Sequence, residues 1–348
     1  MYNYKKHLIS EYAQIKEALF ILNSLASDAI LFVVNKEQQL IGSLTDGDIR
    51  RGLLKKLNID DDIKLFIQEH PKCIRKDNYN IEDIIELREN NFKVIPIVDK
   101  NKKIINILNF RIQKSYLPVD AVIMAGGIGS RLKPLTDTVP KPLLKVGDKT
   151  IIDHNIDRLQ KFGVDDYWLS VRYLGDKLET HLGDGASRNI TLKYVWVDEP
   201  LGTIGAVSKI NDFKHDYVLV TNSDILTNLD YEKFFLDFKE KDADMSVITI
   251  PYVVSIPYAV METNNNHVIS FKEKPKYSYY SNGGIYLIKR AILNMIPKDV
   301  LYNSTDLMQA LIESGKKLIS YPISQYWLDI GKHEDFEQAQ KDIKQIKF

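Results

Sequence analysis

From residue 120 onward, short apolar runs alternate with segments that have helical spacing of their apolar positions. The apolar runs predict buried strands over 121–124 and 217–221 and further strands over 166–171 and 192–197. Helical spacing predicts helices over 151–162 and 204–209, and a polar amphipathic helix over 334–346. Strands that alternate with helices are typical of an α/β, doubly wound sheet, whose functional site lies at the carboxyl ends of the strands.

The first third of the chain contains a weak internal repeat. A helical segment at 15–19 precedes an apolar run at 30–34, and the same order recurs at 81–85 and 94–98. The offset is roughly 65 residues, so a helix–strand–turn–strand unit is used twice, although chance similarity between two short amphipathic units is the alternative. Because the periodicity breaks before Pro118, we expect one domain over 1–115 and a second over 119–348.

Composition and charge exclude several classes of protein. The 348 residues carry 47 Lys+Arg and 47 Asp+Glu, and this zero net charge argues against proteins that coat nucleic acid or anionic membranes. The longest apolar runs are far shorter than the about 20 residues of a membrane span, and the N-terminus does not have a signal-peptide pattern. The single cysteine, Cys73, excludes an internal disulfide and a cysteine-based zinc site. We therefore expect a cytoplasmic protein with no nucleic-acid or membrane partner.

The segment after the first repeat copy, 42–51, reads Gly-Ser-Leu-Thr-Asp-Gly-Asp-Ile-Arg-Arg. It resembles the signature of cystathionine-β-synthase-type (CBS) domains, which are α+β domains that occur as tandem pairs. The resemblance implies a regulatory pair that binds AMP or ATP through Thr45 and Asp48, and a homo-oligomer. The alternative is that Thr45 and Asp48 serve only as turn and helix-cap residues. In the second copy Asn109 and Ile112 stand at these positions, which argues against a second nucleotide site.

A glycine-rich segment directly follows the predicted strand at 121–124. Gly126, Gly127 and Gly129 can expose consecutive backbone N–H groups to an anion, with Ser130 alongside. Arg131 adds a fork-shaped cation suited to phosphate oxygens, and Lys141 adds a mobile point charge. The spacing fits neither a dinucleotide-binding fingerprint nor a P-loop. We therefore expect a phosphate site of another kind, the alternative being a solvated surface turn.

This segment resembles the signature of sugar-phosphate nucleotidylyltransferases, also called nucleotide-sugar pyrophosphorylases. Five further motifs follow in the family's order, at 198–206, 222–224, 271–275, 282–286 and 327–331. The resemblance extends from 120 to about 335 and implies a Rossmann-like doubly wound mixed sheet, preceded by the CBS pair. It is closest to guanylyltransferases of bacterial surface-sugar pathways.

The resemblance also implies roles for individual residues. Those implied for the nucleotide are Gly126, Gly127, Gly129, Ser130, Glu199 and Gly202. Those implied for the sugar phosphate are Thr203, Glu273, Lys274, Asn282 and Gly283. The implied catalytic residues are Arg131, Lys141, Asp224 and Asp329, the two aspartates being the Mg²⁺ ligands. The alternative for these aspartates is that they only cap turns at strand ends.

The implied reaction joins a nucleoside triphosphate to a sugar 1-phosphate and releases pyrophosphate. The sugar phosphate is already an anionic nucleophile, so positioning and electrostatics supply most of the catalysis. Lys141 is expected at the α-phosphate, Arg131 at the β- and γ-phosphates, and Lys274 at the sugar phosphate. Glu273 is expected to accept from sugar hydroxyls with help from Asn282. Mg²⁺ prefers oxygen ligands and phosphates, which agrees with the two aspartates.

The choice of nucleotide depends on Glu199, which precedes the loop Pro-Leu-Gly-Thr-Ile-Gly-Ala. A carboxylate can accept from both N1–H and N2–H₂ of guanine, so GTP is favoured and UTP, CTP and dTTP are alternatives. Glucosamine, mannose or heptose 1-phosphate are the candidate sugars. A non-catalytic adenine-nucleotide and sugar-nucleotide sensor is an alternative from another class. A phosphorylcholine-type nucleotidyltransferase is a third, which the motifs at 271–275 and 282–286 disfavour.

Overall fold

The computed structural model describes residues 3–346, and the chain forms two compact units. The first unit takes in the chain up to Pro118 together with Gln160–Asp165 and Gly185–Thr191. The second comprises Val119–Leu159, Asp166–Asp184 and the chain from Leu192 onward. Two short segments from the later sequence therefore belong to the first unit, which linear division of the sequence at Pro118 does not predict.

The first unit is built from seven strands and three α-helices among the described residues. In chain order they are β1 (Leu8–Ser10), α1 (Ile15–Leu25), β2 (Ile30–Val34), β3 (Leu40–Thr45), α2 (Asp46–Leu54), β4 (Gln68–Glu69), β5 (Ile74–Arg75), α3 (Ile81–Glu89), β6 (Val94–Val98) and β7 (Ile104–Asn109). They form a four-stranded sheet of order β1-β2-β3-β4 and a three-stranded sheet of order β5-β6-β7.

The two sheets of the first unit repeat the same pairing. β1 pairs in parallel with β2 and β5 with β6, while β2–β3 and β6–β7 are antiparallel. Each antiparallel pair has a register irregularity at its far end, between Val33 and Val34 in one copy and between Ile97 and Val98 in the other. The helix–strand–turn–strand repeat of the sequence is therefore present in the structure.

One apolar core joins the two copies. Phe32 and Val34 of β2 pack with Val94 and Val98 of β6, and these side chains are almost fully buried. All residues of these two strands are apolar, which is the pattern of strands covered on both faces. Neither copy can bury its inner face alone, so the repeat folds as one unit.

Thr45 and Asp48 are bonded to each other at the start of α2. Thr45 is the N-cap, and the Asp48 carboxylate accepts from the Thr45 backbone N–H and hydroxyl at 2.8 and 2.6 Å. Asp48 also forms an ion pair with Arg51. This capping box accounts for both residues as helix-cap residues, and it leaves the predicted nucleotide role as a proposal.

The second unit contains the larger sheet. In chain order its elements are β8 (Val119–Met124), β9 (Lys145–Val146), β10 (Lys149–Thr150), α4 (Ile151–Gln160), β11 (Asp166–Val171), α5 (Gly175–Leu182), β12 (Thr191–Trp196), β13 (Tyr217–Asn222), β14 (Ile225–Thr227), α6 (Tyr231–Glu240), β15 (Met245–Ser255), β16 (Val260–Asn264), β17 (His267–Lys272), β18 (Lys276–Lys289), α7 (Ser304–Glu313), β19 (Leu318–Pro322), β20 (Trp327–Asp329) and α8 (His333–Asp342).

Seven strands form a mixed central sheet of order β12-β11-β8-β13-β18-β15-β19. β8 lies between β11 and β13 and is parallel to both, whereas β13–β18 and β18–β15 are antiparallel. Ser170, Met124 and Asn222 stand level with one another across β11, β8 and β13. The chain leaves these three strands at the same edge, which is where parallel strands place a site.

The predicted strands are present within a residue or two of their expected ends, and so is the helix at 151–162, which ends at Gln160. The predicted helix at 204–209 is wrong, because Gly205–Lys209 forms only a short 3₁₀ helix. Its first residues are held by the Tyr302 carbonyl, which accepts from the N–H groups of Ile204 and Gly205 at 3.2 and 3.1 Å. Across residues 3–346, no helix combines the length and apolar character needed to span a bilayer.

Candidate active site

The glycine-rich loop follows β8 and requires glycine at one position in particular. Gly129 has φ +68°, and a Cβ there would lie 3.0 Å from Thr136 Cγ2 and 3.2 Å from Lys141 Cβ. The Thr136 hydroxyl donates to the Gly129 carbonyl at 2.9 Å. Gly129 therefore combines a left-handed backbone with a close approach to Lys141, and any other residue would push the loop away from this lysine.

The same loop presents backbone donors with no protein acceptor. Among residues 3–346, no acceptor receives the N–H groups of Gly126, Gly127, Ile128 or Gly129. A Cβ at Gly127 would have no heavy atom within 4 Å, so the space beside the loop is open. Because strand and helix residues use their own N–H groups for the fold, four consecutive free donors favour an anionic ligand here.

Lys141 lies between two carboxylates at the edge of the sheet. Its ammonium forms a hydrogen-bonded ion pair with Asp224 and lies 4.0 Å from Asp329 Oδ1. Asp224 occupies the tight turn between β13 and β14, and Asp329 is the last residue of β20. Pairing of β14 with β20 sets Ile225 opposite Asp329, and the Asp224 carbonyl accepts from Ile330 N–H at 3.0 Å. Two short strands thus fix the aspartates side by side.

The two carboxylates have the properties of a cation site. Within the described part of the chain, Asp224 Oδ1 and Asp329 Oδ1 are both buried without a hydrogen-bond partner. Burial and the neighbouring carboxylate of Asp224 raise the pKa of Asp329, against the opposing effect of Lys141 and Arg131. Buried oxygens that lack donors cost free energy, and a divalent cation with oxygen preference would relieve it. The residues present therefore fit Mg²⁺.

A cavity of about 380 Å³ opens beside these groups. Among the residues that line it are nine that the sequence predicted as site residues: Gly126, Gly127, Gly129, Ser130, Arg131, Lys141, Gly202, Thr203 and Asp224. The Arg131 guanidinium lies beside Gly331, where a Cβ would be 3.6 Å from its nitrogens. The structure thus brings nine residues that the sequence assigned to nucleotide, sugar phosphate or catalysis to one cavity.

Other predicted residues lie outside the lining of this cavity, among them Asp329, which adjoins it through Lys141. Glu199 is exposed in the segment after β12. Glu273 and Lys274 are exposed in the turn between β17 and β18. Asn282 and Gly283 lie on β18, where the Gly283 carbonyl accepts from the Trp327 indole N–H at 2.9 Å.

Hydrogen bonds connect Asn282 to the cavity residue Thr203. The Tyr286 hydroxyl lies 3.0 Å from Asn282 Oδ1 and 2.9 Å from the Ser304 hydroxyl. The Ser304 backbone N–H donates to Thr203 Oγ1 at 2.8 Å. Burial raises the pKa of Tyr286, so its hydroxyl keeps the proton that this network uses. The start of α7 therefore links two segments that the sequence assigned to the sugar.

Arg172 is a cavity residue that the sequence analysis missed. It follows β11 directly, lines the cavity and lies against the loop, since a Cβ at Gly126 would be 3.5 Å from Arg172 Cβ. The next residue, Tyr173, donates from its hydroxyl to the carbonyls of Thr136 and Asp137. No motif surrounds Arg172, and only its position after a predicted strand could have marked it.

Comparisons with known proteins agree with this geometry. The model of the nucleotidyl transferase family matches residues 120–346. A D-glycero-α-D-manno-heptose 1-phosphate guanylyltransferase from Aneurinibacillus thermoaerophilus is 30% identical over 231 residues, covering 65% of this chain and 99% of that protein. A UTP–glucose-1-phosphate uridylyltransferase from Synechocystis is 29% identical over 243 residues, covering 64% of this chain and 63% of that relative, so this match spans under two thirds of its length.

Solved structures show the same fold for the second unit. HddC from Yersinia pseudotuberculosis superimposes with a TM-score of 0.52 at 26% identity, covering 65% of this chain and 99% of that one. A structure of HddC complexed with GMP-PN gives a TM-score of 0.50 at 25% identity over the same shares. The family match covers well over half of the 348 residues, including the loop, the cavity and both aspartates. The chain belongs to the nucleotidyl transferase family.

Proposed function

We propose that this protein transfers the nucleotidyl group of a nucleoside triphosphate, GTP in preference, to a sugar 1-phosphate with Mg²⁺ as cofactor. The products are a nucleotide sugar and pyrophosphate. The observation that carries the proposal is that one cavity is lined by the Lys141–Asp224 ion pair, which Asp329 adjoins at 4.0 Å from Lys141, and by a loop whose backbone N–H groups have no acceptor within residues 3–346. Such an arrangement suits two polyanionic substrates that must approach each other.

The proposed step is an in-line exchange at the α-phosphorus. An oxygen of the sugar phosphate forms the new bond, and the bond from the α-phosphorus to the bridging oxygen of the β-phosphate breaks. Pyrophosphate leaves with the bonding electron pair, and no proton relay is needed because the nucleophile is already ionised. Lys141 stabilises charge on the α-phosphoryl group, while the loop N–H groups and Arg131 hold the departing phosphates.

Asp224 and Asp329 are the residues that would hold Mg²⁺. When bound, the ion supplies charge neutralisation between the α-phosphate and the departing group. In the same proposal Glu273 and Lys274 bind the sugar phosphate, which requires the β17–β18 turn to approach the cavity when substrate is present. Thr203 and Asn282 contribute sugar contacts, since one hydrogen-bond network positions both.

The preference for GTP rests on similarity to relatives. The heptose 1-phosphate guanylyltransferase relative uses a guanine nucleotide by its name, and HddC was solved with GMP-PN. Relatives named as uridylyl- and adenylyltransferases keep UTP and ATP as alternatives. Heptose, mannose and glucosamine 1-phosphates are the sugar phosphates to compare.

For the first unit we propose a regulatory CBS pair that binds an adenine nucleotide near Thr45 and Asp48 and supports homo-oligomerisation. The repeated pairing of β1–β2–β3 and β5–β6–β7 supports the tandem arrangement. At the position of Thr45 the second copy has Asn109, whose amide donates to Asp28 of the first copy at 3.0 Å. Because Asn109 is engaged in this contact and Ile112 stands where the first copy has Asp48, one nucleotide per chain is proposed.

The test of the catalytic proposal is pyrophosphate release by Lys141→Ala against a matched control, Lys145→Ala. Lys145 is an exposed lysine in β9, four residues along the chain. Removing a well-placed transition-state donor costs about 10²–10³ in rate. We expect that loss for Lys141→Ala in a folded protein and wild-type turnover for Lys145→Ala. Equal turnover of the two variants would contradict the proposal.

A further inference from the structure

Arg172, Gly126 and Asp224 each follow the end of one of three neighbouring strands, β11, β8 and β13. Ser170, Met124 and Asn222 are level in the strand register, and each of the three residues follows two positions later. Neighbouring strands are spaced by about 4.8 Å, so the ends of β11 and β13, on either side of β8, lie about 10 Å apart. Gly126 lies between them without a side chain, which leaves a path from one to the other.

The Arg172 guanidinium has no internal partner. Within residues 3–346 it forms no hydrogen bond or ion pair, although Arg75, Arg111 and Arg290 all pair with carboxylates. Arg172 is half-buried and lines the cavity, so solvation compensates it only in part. An arginine kept unpaired at a cavity wall offers its rigid fork of donors to a ligand.

The cavity lining contains two arginines without a side-chain partner within residues 3–346, and they adjoin different segments. Arg131 lies beside Gly331, two residues after Asp329, on the side of the two aspartates. Arg172 lies beyond Gly126, on the side of β11 and β12. If the α-phosphate sits at Lys141 with the β- and γ-phosphates toward Arg131, the nucleoside extends past Gly126 and its base reaches Arg172.

The wall at the Arg172 end is apolar. Val197, Leu201 and Ala206 line the cavity there and are buried at 8%, 8% and 3% exposure. Val197 N–H donates to the Val171 carbonyl at 3.2 Å, which holds this wall next to Arg172. A flat heterocycle can pack on these side chains, whereas a polyphosphate gains nothing from them.

We propose that Arg172 is a specificity-determining residue that selects guanine by donating two hydrogen bonds to its O6 and N7. This inference rests on the proposed function, since it assigns the base of the same nucleotide. An arginine fork matches the two adjacent acceptors of guanine, while adenine presents a donor at N6 beside N7. Glu199, which the sequence favoured for this task, is exposed outside the cavity lining.

The experiment exchanges the donor pattern with Arg172→Gln in the full chain. A glutamine side chain can donate to N7 and accept from N6 of adenine, so it should favour ATP. The control is Arg290→Gln, which removes an arginine paired with Asp216 away from this cavity. Initial rates with GTP, ATP, UTP and CTP are measured at saturating sugar 1-phosphate, and GTP and ATP binding is measured separately by calorimetry without sugar phosphate.

We expect Arg172→Gln to lower kcat/KM for GTP by about 10- to 100-fold and to shift the ATP-to-GTP ratio toward ATP. Arg290→Gln should keep the wild-type ratio. A uniform loss with all four nucleotides would show a phosphate contact and overturn the inference, as would a wild type without preference for GTP over ATP. A calorimetric GTP preference that Arg172→Gln abolishes would support it even if no transfer activity were found, a result that would refute the proposed function alone.

Discussion

Substitution of Gly202 by alanine perturbs the loop that carries Thr203. Gly202 has φ +74°, and a Cβ there would lie 2.5 Å from the Tyr302 carbonyl oxygen and 2.8 Å from Asn303 Oδ1. The same Tyr302 carbonyl accepts from the N–H groups of Ile204 and Gly205. The added methyl group must therefore displace the acceptor that holds the loop in place.

The loss of stability in Gly202→Ala has two parts, and the same substitution at a second glycine, Gly315, separates them. A left-handed alanine costs about 1–2 kcal/mol, and overpacking against immobile atoms costs about 1–3 kcal/mol more. Gly315 also has a positive φ, +64°, but a Cβ there would meet no heavy atom within 4 Å. Gly202→Ala should therefore lower the free energy of unfolding by about 2–5 kcal/mol and Gly315→Ala by only about 1–2 kcal/mol.

Urea denaturation followed by tryptophan fluorescence measures both variants. Trp168, Trp196 and Trp327 all lie in the second unit, so the signal reports the unit that carries the substitutions. Steady-state kinetics should show a raised KM for Gly202→Ala and wild-type kinetics for Gly315→Ala. Equal losses of stability in the two variants, or wild-type kinetics for Gly202→Ala, would refute the reasoning.

Three further predictions concern the cation, the sugar phosphate and the first unit. Asp329→Asn should weaken the affinity for Mn²⁺, measured by calorimetry, at least about tenfold, because it removes one ligand of the ion. Asp212→Asn should leave this affinity unchanged. Equal Mn²⁺ affinities of the two variants would exclude this site. Lys274→Ala should raise KM for the sugar 1-phosphate alone, and Lys276→Ala should not; an effect on the nucleotide KM would contradict the assignment. Asp48→Ala should cost about 1 kcal/mol of stability through the lost capping box and abolish AMP binding, and retained AMP binding would refute the nucleotide role.

The sequence was sufficient where local pattern and chemistry coincide. β8 and β13 are short apolar runs that predicted buried strands, and with the strand predicted at β11 they placed the glycine-rich loop and Asp224 at the same sheet edge. Lys141 was predicted from a motif in which a positive charge can bind a phosphate. These residues are the ones that the structure brings together in the cavity.

Other features depend on contacts between distant segments. The 3₁₀ turn at Gly205–Lys209 replaces the expected helix because Tyr302, about a hundred residues later, takes its first N–H groups. Arg172 could be recognised as a cavity residue only from the strand register that sets β11 beside β8. Glu273 and Lys274 were placed by motif, and their position outside the cavity lining depends on the turn between β17 and β18, strands of two different sheets that no local pattern positions.

Identification of the reaction product tests directly whether the cavity joins two phosphate substrates. The purified chain is incubated with GTP, Mg²⁺ and one sugar 1-phosphate at a time. The three sugar 1-phosphates are those of heptose, mannose and glucosamine, and the products are identified by mass. We expect a nucleotide sugar and pyrophosphate in equal amounts, formed only when both substrates and the cation are present. Absence of any nucleotide sugar across the three sugars and all four nucleotides, or hydrolysis of the nucleotide without transfer, would contradict it.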